Sequence, residues 1–586
     1  MDVDVDNFEE ALALFAEHLP KATFVAVDLE MTGITGPPET QTCAGDVPQV
    51  QYSKARKVLA QPLNIVQVGL CLFEETSPGH FDCRPFNVFV FPRAFQERDA
   101  RGNIVRSEPF QGLSSSAAAF LAGNGLDFQR WVTKGVSYVD AALEEELLRA
   151  MPSQSRGATA TESGKERVEP SKPSDIQLLQ DVMKQVDAFV AAGGTEMKLP
   201  KTNNFMALVF RQRIAERHPG LMVQKRPSEL NPNVQDRWVL NLSDANRHSH
   251  DQAIRQRLLS HLGFLRMWNL LKKARLPVVL HNGFMDLLFL ASALEGPLPA
   301  QLSDLKEVVG TALPVLFDTK VLAESPALAG RLGQRTSLGE LATNLAERLQ
   351  SATAQVGSPG PEGASDGTCE EVLDISFTLS EGFRQYAGDG SGEGAASGAF
   401  HTAGYDAYET GRVFAFYRSA LALGAEGERV KLETFRNRIF LLYSAFELRI
   451  GAQDGLQFDG IVRHLSSVDT AMLNNRGLSQ VLQPLTEEGK RRAAFRWCSS
   501  GDSLLLILHG HPDTTAGHPG RETCESILDN LLQKQADFGR LESATLEEYL
   551  EEVEAELAET AASATSDGHE KPSLEEEAPS KRQRRD

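Results

Sequence analysis

Short continuous apolar runs alternate with helically spaced apolar positions over the first 150 residues. Phe24-Val-Ala-Val27 reads as a short buried strand, and Asn64–Phe73 as a second. Phe86–Phe91 follows as a third, antiparallel to the second. Between 253 and 273, Leu258, Leu262 and Leu265 recur at i, i+4 and i+7, the stripe of an amphipathic helix. Pro277 then leads into Val278-Val-Leu280, another buried strand. Strands and helices interleaved in this way predict an α/β fold, a mixed sheet with helices packed on it.

Composition marks where that pattern breaks. Residues 152–173 hold almost no large apolar side chain and read as a disordered linker. Stretches 353–368 and 388–399 are Gly- and Ser-rich and read as flexible insertions. The pattern predicts an α/β domain in two parts, 1–150 and 249–425, separated by a linker at 151–174 and an inserted α+β domain at 175–248. The inserted unit carries a helical 176–191 and a basic segment with Arg211, Arg213, Arg217 and His218. These read either as a phosphate-binding patch or as a solvated helix face. Residues 457–537 show a β-α-β-β-α order, that of a small RNA-recognition-motif-like domain. The segment 542–586 is expected to be an acidic, largely disordered tail with a basic end.

The charge of −21 over 586 residues looks unpromising for a nucleic-acid enzyme, but thirteen Asp/Glu against one Lys sit between 542 and 577, a net of −12. A site for divalent cations must itself be acidic, so net charge neither supports nor excludes RNA. Six cysteines without a C-x-x-C spacing argue against structural zinc and fit a reducing compartment. An acidic N-terminus without an apolar stretch predicts no secretory signal, and no run reaches the roughly 18 to 20 apolar residues of a membrane helix. Cytosol or nucleus is the expected home.

Asp28 and Glu30 follow the first strand at i and i+2, which puts both carboxylates on one face. Such a pair is costly unless solvent or a cation neutralises it. Asp286 lies in His281-Asn-Gly-Phe-Met-Asp286, after a strand, at a strand-to-helix crossing where α/β sheets place ligands. Asn282 reads alternatively as a helix cap, and Asp286 as a helix-dipole partner. His401 and Asp406 open a further helix, His401-Thr-Ala-Gly-Tyr-Asp406. Together the four acids can bind two Mg²⁺ about 4 Å apart, the arrangement of two-metal phosphoryl transfer. Histidine, with an ordinary pKa near ~6.5, can take a proton from the attacking water.

At these residues the chain resembles the DEDD exonucleases, in the subgroup with histidine five positions before the last aspartate, and among them the poly(A)-specific ribonucleases, or deadenylases. Phe24–Ile34, Ser114–Ser116, Gly125–Phe128, Gly296–Leu302, Phe317-Asp-Thr-Lys320 and His401–Gly411 carry the likeness, over about 1–145 and 253–425. It implies an RNase H-like mixed sheet and 3′→5′ removal of poly(A) with release of 5′-AMP, in mRNA decay. It makes Asp28, Glu30, Asp286 and Asp406 ligands of two Mg²⁺, with Mn²⁺ as a substitute, and His401 the general base. Met31, Ile34, Asn282 and Lys320 match positions near the 3′-terminal adenosines. Met31 stands where the family commonly has Phe, which weakens base stacking, and Lys320 reads equally as a surface lysine. Trp497 matches a tryptophan that stacks on the mRNA 5′ cap, or is a core residue. A homodimer, and residence in nucleus and cytoplasm, are further implications; the Lys581–Arg585 cluster reads as an import signal or a plain basic tail. Trimming of small non-coding RNA 3′ ends is the alternative activity. A non-catalytic RNA-binding scaffold ranks below it, because all five site residues are present.

Overall fold

Side-chain alternation carries the first strand well past its apolar tetrad. In the computed structural model, β2 (Phe24–Met31) runs through both acids, so Asp28 and Glu30 lie inside a paired strand rather than after its end. The structure describes residues 1–566 except 44, 99–103, 152–167, 219, 229–230, 242–243, 357–373, 387–400, 424–429, 458–459, 467–492, 498–502, 510–520 and 537–541. The expected insertion 388–399, residues 152–167 of the linker and residues 357–368 lie outside the described residues; the linker and the first insertion are corrected at their edges, where a helix begins at Pro173 and another ends at Val356.

The main sheet has β2 at its centre. On one side stand β3 (Ile65–Ser77) and β4 (His80–Phe89), successively antiparallel. The second and third strands are thus longer than their apolar runs, because their polar ends still find backbone partners. On the other side of β2 lie strands Val278–Leu280 and Leu316–Asp318, each parallel to its neighbour. A short β1 (Asp2–Val3) and strand Ser376–Leu379 both pair in parallel with β4. This order, an antiparallel meander extended by parallel strands, is the RNase H-like mixed sheet.

Period-two alternation along β2 splits the core in two. Val25, Val27 and Leu29 join the layer containing Trp268, Leu271 and Leu287. Phe24 and Ala26 join the opposite layer, with Phe73, Phe317 and Phe414. Asp28 and Glu30 belong to this second face, the one covered by helix Ala403–Leu423.

Helices Pro173–Ala191 and Asn204–Arg217 pack on a three-stranded sheet of Glu196–Lys198, Leu221–Ser228 and Asn231–Asn241, with their own core around Val186, Phe210 and Val239. The basic segment here is engaged in ion pairs. Arg213 meets Glu169 at 2.6 Å and Glu216 at 3.1 Å, while Arg217 and His218 both reach Asp187 at 2.7 Å.

In the C-terminal region the strand order is Ala493–Trp497, Ser503–His509, Gly460–Ser466, Glu542–Thr545, all antiparallel. Helix Arg521–Ala536 covers one face through Leu528 and Leu532. The expectation of a largely disordered tail from 542 is corrected: Glu542–Thr545 is the edge strand, and Leu546–Ser566 is a helix. Leu546, Tyr549, Leu550 and Val553 recur at 3- and 4-residue intervals and pack on the sheet's other face, which also meets Val47, Ala445 and Phe446 of the main domain. The acids from Glu542 to Glu556 are exposed between those apolar positions, so the charge count concealed a docking stripe. Residues 567–586, with the basic end, lie outside the described residues.

Candidate active site

Three segments bring the carboxyls together. The first is β2 itself, where Asp28 faces Gly69 and Glu30 faces Gln67 on β3. The helix Ala403–Leu423 crosses directly above. It can come this close because Gly69 has no side chain: a Cβ there would lie 1.8 Å from the Ala403 carbonyl oxygen. Gly411 gives the same clearance over the Phe73 ring. Asp406, in the first turn of this helix, is thereby lowered to the Asp28–Glu30 face.

The third segment is the turn His281–Gly283, and one residue organises it. Asp318, at the end of its strand, is 1% exposed and accepts four backbone N–H groups: Asn282 and Lys320 at Oδ1, Gly283 and Phe440 at Oδ2, at 2.8 to 3.3 Å. Burial raises its pKa to about 6, against the lowering by those four donors. This clamp holds Asn282 at φ +54°, and the next helix, Phe284–Leu290, starts with Asp286 in its first turn. The alternative reading of Asn282 as the helix cap is corrected: Gly283 takes that position, with no side-chain cap bond. His281 Nδ1 and Thr319 Oγ1 are hydrogen-bonded at 2.8 Å, and the Thr319 hydroxyl also lies 3.1 Å from the Leu280 carbonyl oxygen.

Around this pocket Glu30, Asp286 and Asp406 are buried and Asp28 is half-buried. Burial, then repulsion by Asp406, Asp286 and Glu30, drives the Asp28 carboxyl far above the ordinary range. Burial followed by repulsion from Asp406 and Asp286 lifts Glu30 to about 8. Asp286 and Asp406 are raised as well, chiefly by burial. Four carboxyls that burial, and for Asp28 and Glu30 also their acidic neighbours, hold back from ionising fit a site for divalent cations.

Two further observations fit the same group. Oxygens of Glu30 and Asp406 and a ring nitrogen of His401 all lie within 4.8 Å of one another. Asp406 Oδ1 is buried and has no hydrogen-bond partner among the described residues, while Oδ2 accepts the His401 backbone N–H at 3.0 Å. His401 stands at the rim, exposed, with φ +69°, its ring against the edge of Phe120 at 4.7 Å between centroids. The carboxylate oxygens suit Mg²⁺ or Mn²⁺, with the His401 ring beside them.

Of the substrate candidates, Ile34 is exposed, at 54%, beyond the end of β2. Met31 is half-buried and leans on the core. Lys320 is half-buried. Its ammonium binds Thr336 Oγ1 at 2.6 Å, the Thr336 carbonyl at 3.1 Å and Glu324 at 3.2 Å. Trp497 pairs with Leu504 in the C-terminal sheet, and its side chain lies outside the described residues. Asp318, Gln67, Gly69 and Asn87 have no role legible from their neighbours in the chain, because they act through contacts distant in it. The one legible signal was an aspartate ending an apolar strand, Leu316-Phe-Asp318.

The sequence pattern of the CAF1 family ribonucleases matches residues 3–414, more than half of the chain. The poly(A)-specific ribonuclease PARN of Xenopus laevis is 26% identical over 432 residues, covering 71% of this chain and 62% of that protein. The human PARN is 24% identical over 467 residues, 75% of this chain and 66% of that one. The mouse poly(A)-specific ribonuclease PNLDC1 is 30% identical over 334 residues, 55% of this chain and 57% of the relative. The chain thus spans under two thirds of the length of several relatives. A solved structure of S. pombe Pop2p in an Mg²⁺- and Mn²⁺-bound form aligns with a TM-score of 0.34 and 12% identity, over 75% of this chain and 98% of Pop2p.

Proposed function

Because the chain belongs to the CAF1 family of ribonucleases, we propose that it is a 3′→5′ exoribonuclease that removes poly(A) from RNA and releases 5′-AMP. The observation that carries the reading is the gathering of Asp28, Glu30, Asp286 and Asp406, each with its pKa raised chiefly by burial, beside His401. These four would hold two Mg²⁺, or Mn²⁺. When bound, divalent cations neutralise the scissile phosphate and stabilise the attacking and leaving oxygens.

The chain's own groups do the rest. Asp28 and Glu30 are held on a strand that pairs with β3 at both positions, so their oxygens need little reorganisation during reaction. His401 accepts the proton of the attacking water at a ring nitrogen. Its backbone N–H on Asp406 and the Phe120 edge hold the imidazole over the carboxylates. Ile34, exposed next to β2, offers an apolar face to a terminal base.

Met31, standing where the family commonly has a stacking Phe, favours a second reading with relaxed adenine preference, 3′-end trimming of small non-coding RNA. A 5′-cap ligand at Trp497, a homodimer, and residence in nucleus and cytoplasm belong to the proposal on the sequence resemblance alone. Decay of A20, U20 and C20 oligomers with free 3′ hydroxyls, in Mg²⁺ and then in EDTA, tests it. The expected result is EDTA-sensitive decay of A20 ahead of the others. Equal decay of all three selects trimming, and no decay of any sinks the nuclease reading.

A further inference from the structure

The register across the main sheet places four residues in one row: Asp28 on β2 opposite Gly69 on β3, Gly69 opposite Asn87 on β4, and Asn87 opposite Asp2 on β1. Directly paired residues share a face, and this face carries the start of helix Ala403–Leu423. Each member has a distinct relation to that helix. Asp28 is in electrostatic contact with Asp406. Gly69 leaves room for the Ala403 carbonyl, and Asn87 Oδ1 accepts the Gly404 N–H at 3.2 Å. The adjoining Gln67 Oε1 takes the Ala403 N–H at 3.4 Å.

The first N–H groups of a helix have no partner within it. Here two of them are met from the sheet, by side chains that are 4% and 1% exposed. The Asn87 amide cannot turn over. The Gly404 N–H requires an oxygen, while Asn87 Nδ2 donates to Asp2 Oδ1 at 3.0 Å, which requires a donor. Asp2 is held in turn, by Arg130 Nη1 at 3.2 Å on its other oxygen. Gly404 tolerates this approach because a Cβ would lie 2.6 Å from the Asn87 Cβ.

We propose that Asn87, gripped by Asp2, is a positioning residue: it sets the height of the 403–423 helix above the sheet, and with it the place of Asp406 among the cation-holding carboxyls. The inference deepens the nuclease reading and rests on it for its catalytic meaning. It also predicts cation binding directly, which separates the two.

A donor–acceptor swap in the full-length protein tests it. Asn87→Asp keeps an acceptor for Gly404 but sets a second carboxylate against Asp2. Asp2→Asn combined with Asn87→Asp restores donor to acceptor with the direction exchanged. The readouts are the Mg²⁺ concentration that half-saturates the Mg²⁺-induced rise in melting temperature, and the kcat and Mg²⁺ midpoint of A20 decay. Asn87→Asp is expected to raise both midpoints by about 10- to 100-fold, the usual range for a lost outer partner of a metal ligand. The swap is expected to return them to within about threefold of the wild type.

Wild-type midpoints in Asn87→Asp, or a lowered melting temperature with unchanged Mg²⁺ midpoints, would overturn the assignment, as would a folded swap that is not rescued. If Asn87→Asp gives no cooperative melt, Asn87→Ser shortens the side chain without adding charge. It must then show the raised midpoint, and a wild-type value refutes the proposal. A wild type that binds Mg²⁺ but leaves A20 intact would remove the nuclease reading while the thermal midpoints still decide the role of Asn87.

Discussion

At the residue scale the site gathers four carboxyls whose protonated forms burial favours. Asp28→Ala or Asp406→Ala should abolish Mg²⁺-dependent A20 decay while the circular dichroism spectrum stays that of the folded protein; undiminished decay would refute their assignment. His401→Ala should lower the rate by ~10²–10⁴-fold, the range for a lost general base. The proton linkage has a definite sign. Burial and its neighbours raise Glu30 from the ordinary 4.5 to about 8, so the folded, cation-free chain keeps a proton that the unfolded chain gives up. Its contribution is neutral below about pH 4.5 and becomes destabilising as pH rises towards about 8. Melting in EDTA should therefore fall over that window, and the gain on adding Mg²⁺ should grow with pH. A Mg²⁺-induced shift that is flat from pH 5 to 8 would contradict this. Glu30→Gln should flatten the EDTA profile.

At the element scale, stability and catalysis meet where the 403–423 helix rests on β3. Gly69→Ala pushes a methyl group into the Ala403 carbonyl. It should cost about 1–3 kcal/mol, as overpacking does, and should lower A20 decay disproportionately because Asp406 moves with the helix. Unchanged melting and rate would show that the contact is slack. The 281–283 turn depends in the same way on Asp318. Asp318→Ala leaves four N–H groups without their acceptor and should destabilise by about 3 kcal/mol or more, given about 1–3 kcal/mol for each buried group left unsatisfied. Chemical denaturation reads both. The strand containing Asp28 and Glu30 was legible as a strand because alternation is local. The seat of the helix was not, since Gly69 gains its meaning only from Ala403, far along the chain.

At the scale of the whole molecule, the C-terminal sheet has both faces occupied. Helix 521–536 covers one, while the 546–566 helix and the main domain cover the other, where Val462, Leu505 and Ile507 are at most 5% exposed. Tyr549 donates from its hydroxyl to the Gly45 carbonyl at 2.9 Å and ties this helix to the segment that follows β2. The face opposite helix 521–536 is therefore a docking face in this conformation. Leu550→Asp with Val553→Asp should detach the helix, increase binding of an apolar dye, and speed protease cleavage within 457–566. If dye binding and cleavage match the wild type, the stripe does not hold the helix down. Among the described residues no helix is long and apolar enough to cross a membrane.

The sequence alone determined what depends on neighbours in the chain: the strand period that puts Asp28 and Glu30 on one side, the turn before Asp286, and the five-residue interval from His401 to Asp406. It also determined the mixed α/β class, because apolar periodicity is a local property. Tertiary structure decided the rest: that these segments converge, that Asp318 clamps a strained turn, that Asn87 and Gln67 hold a helix start, and that an acidic stretch docks by its apolar stripe. Each of those rests on contacts between residues tens to hundreds of positions apart, and close packing sets them jointly rather than residue by residue.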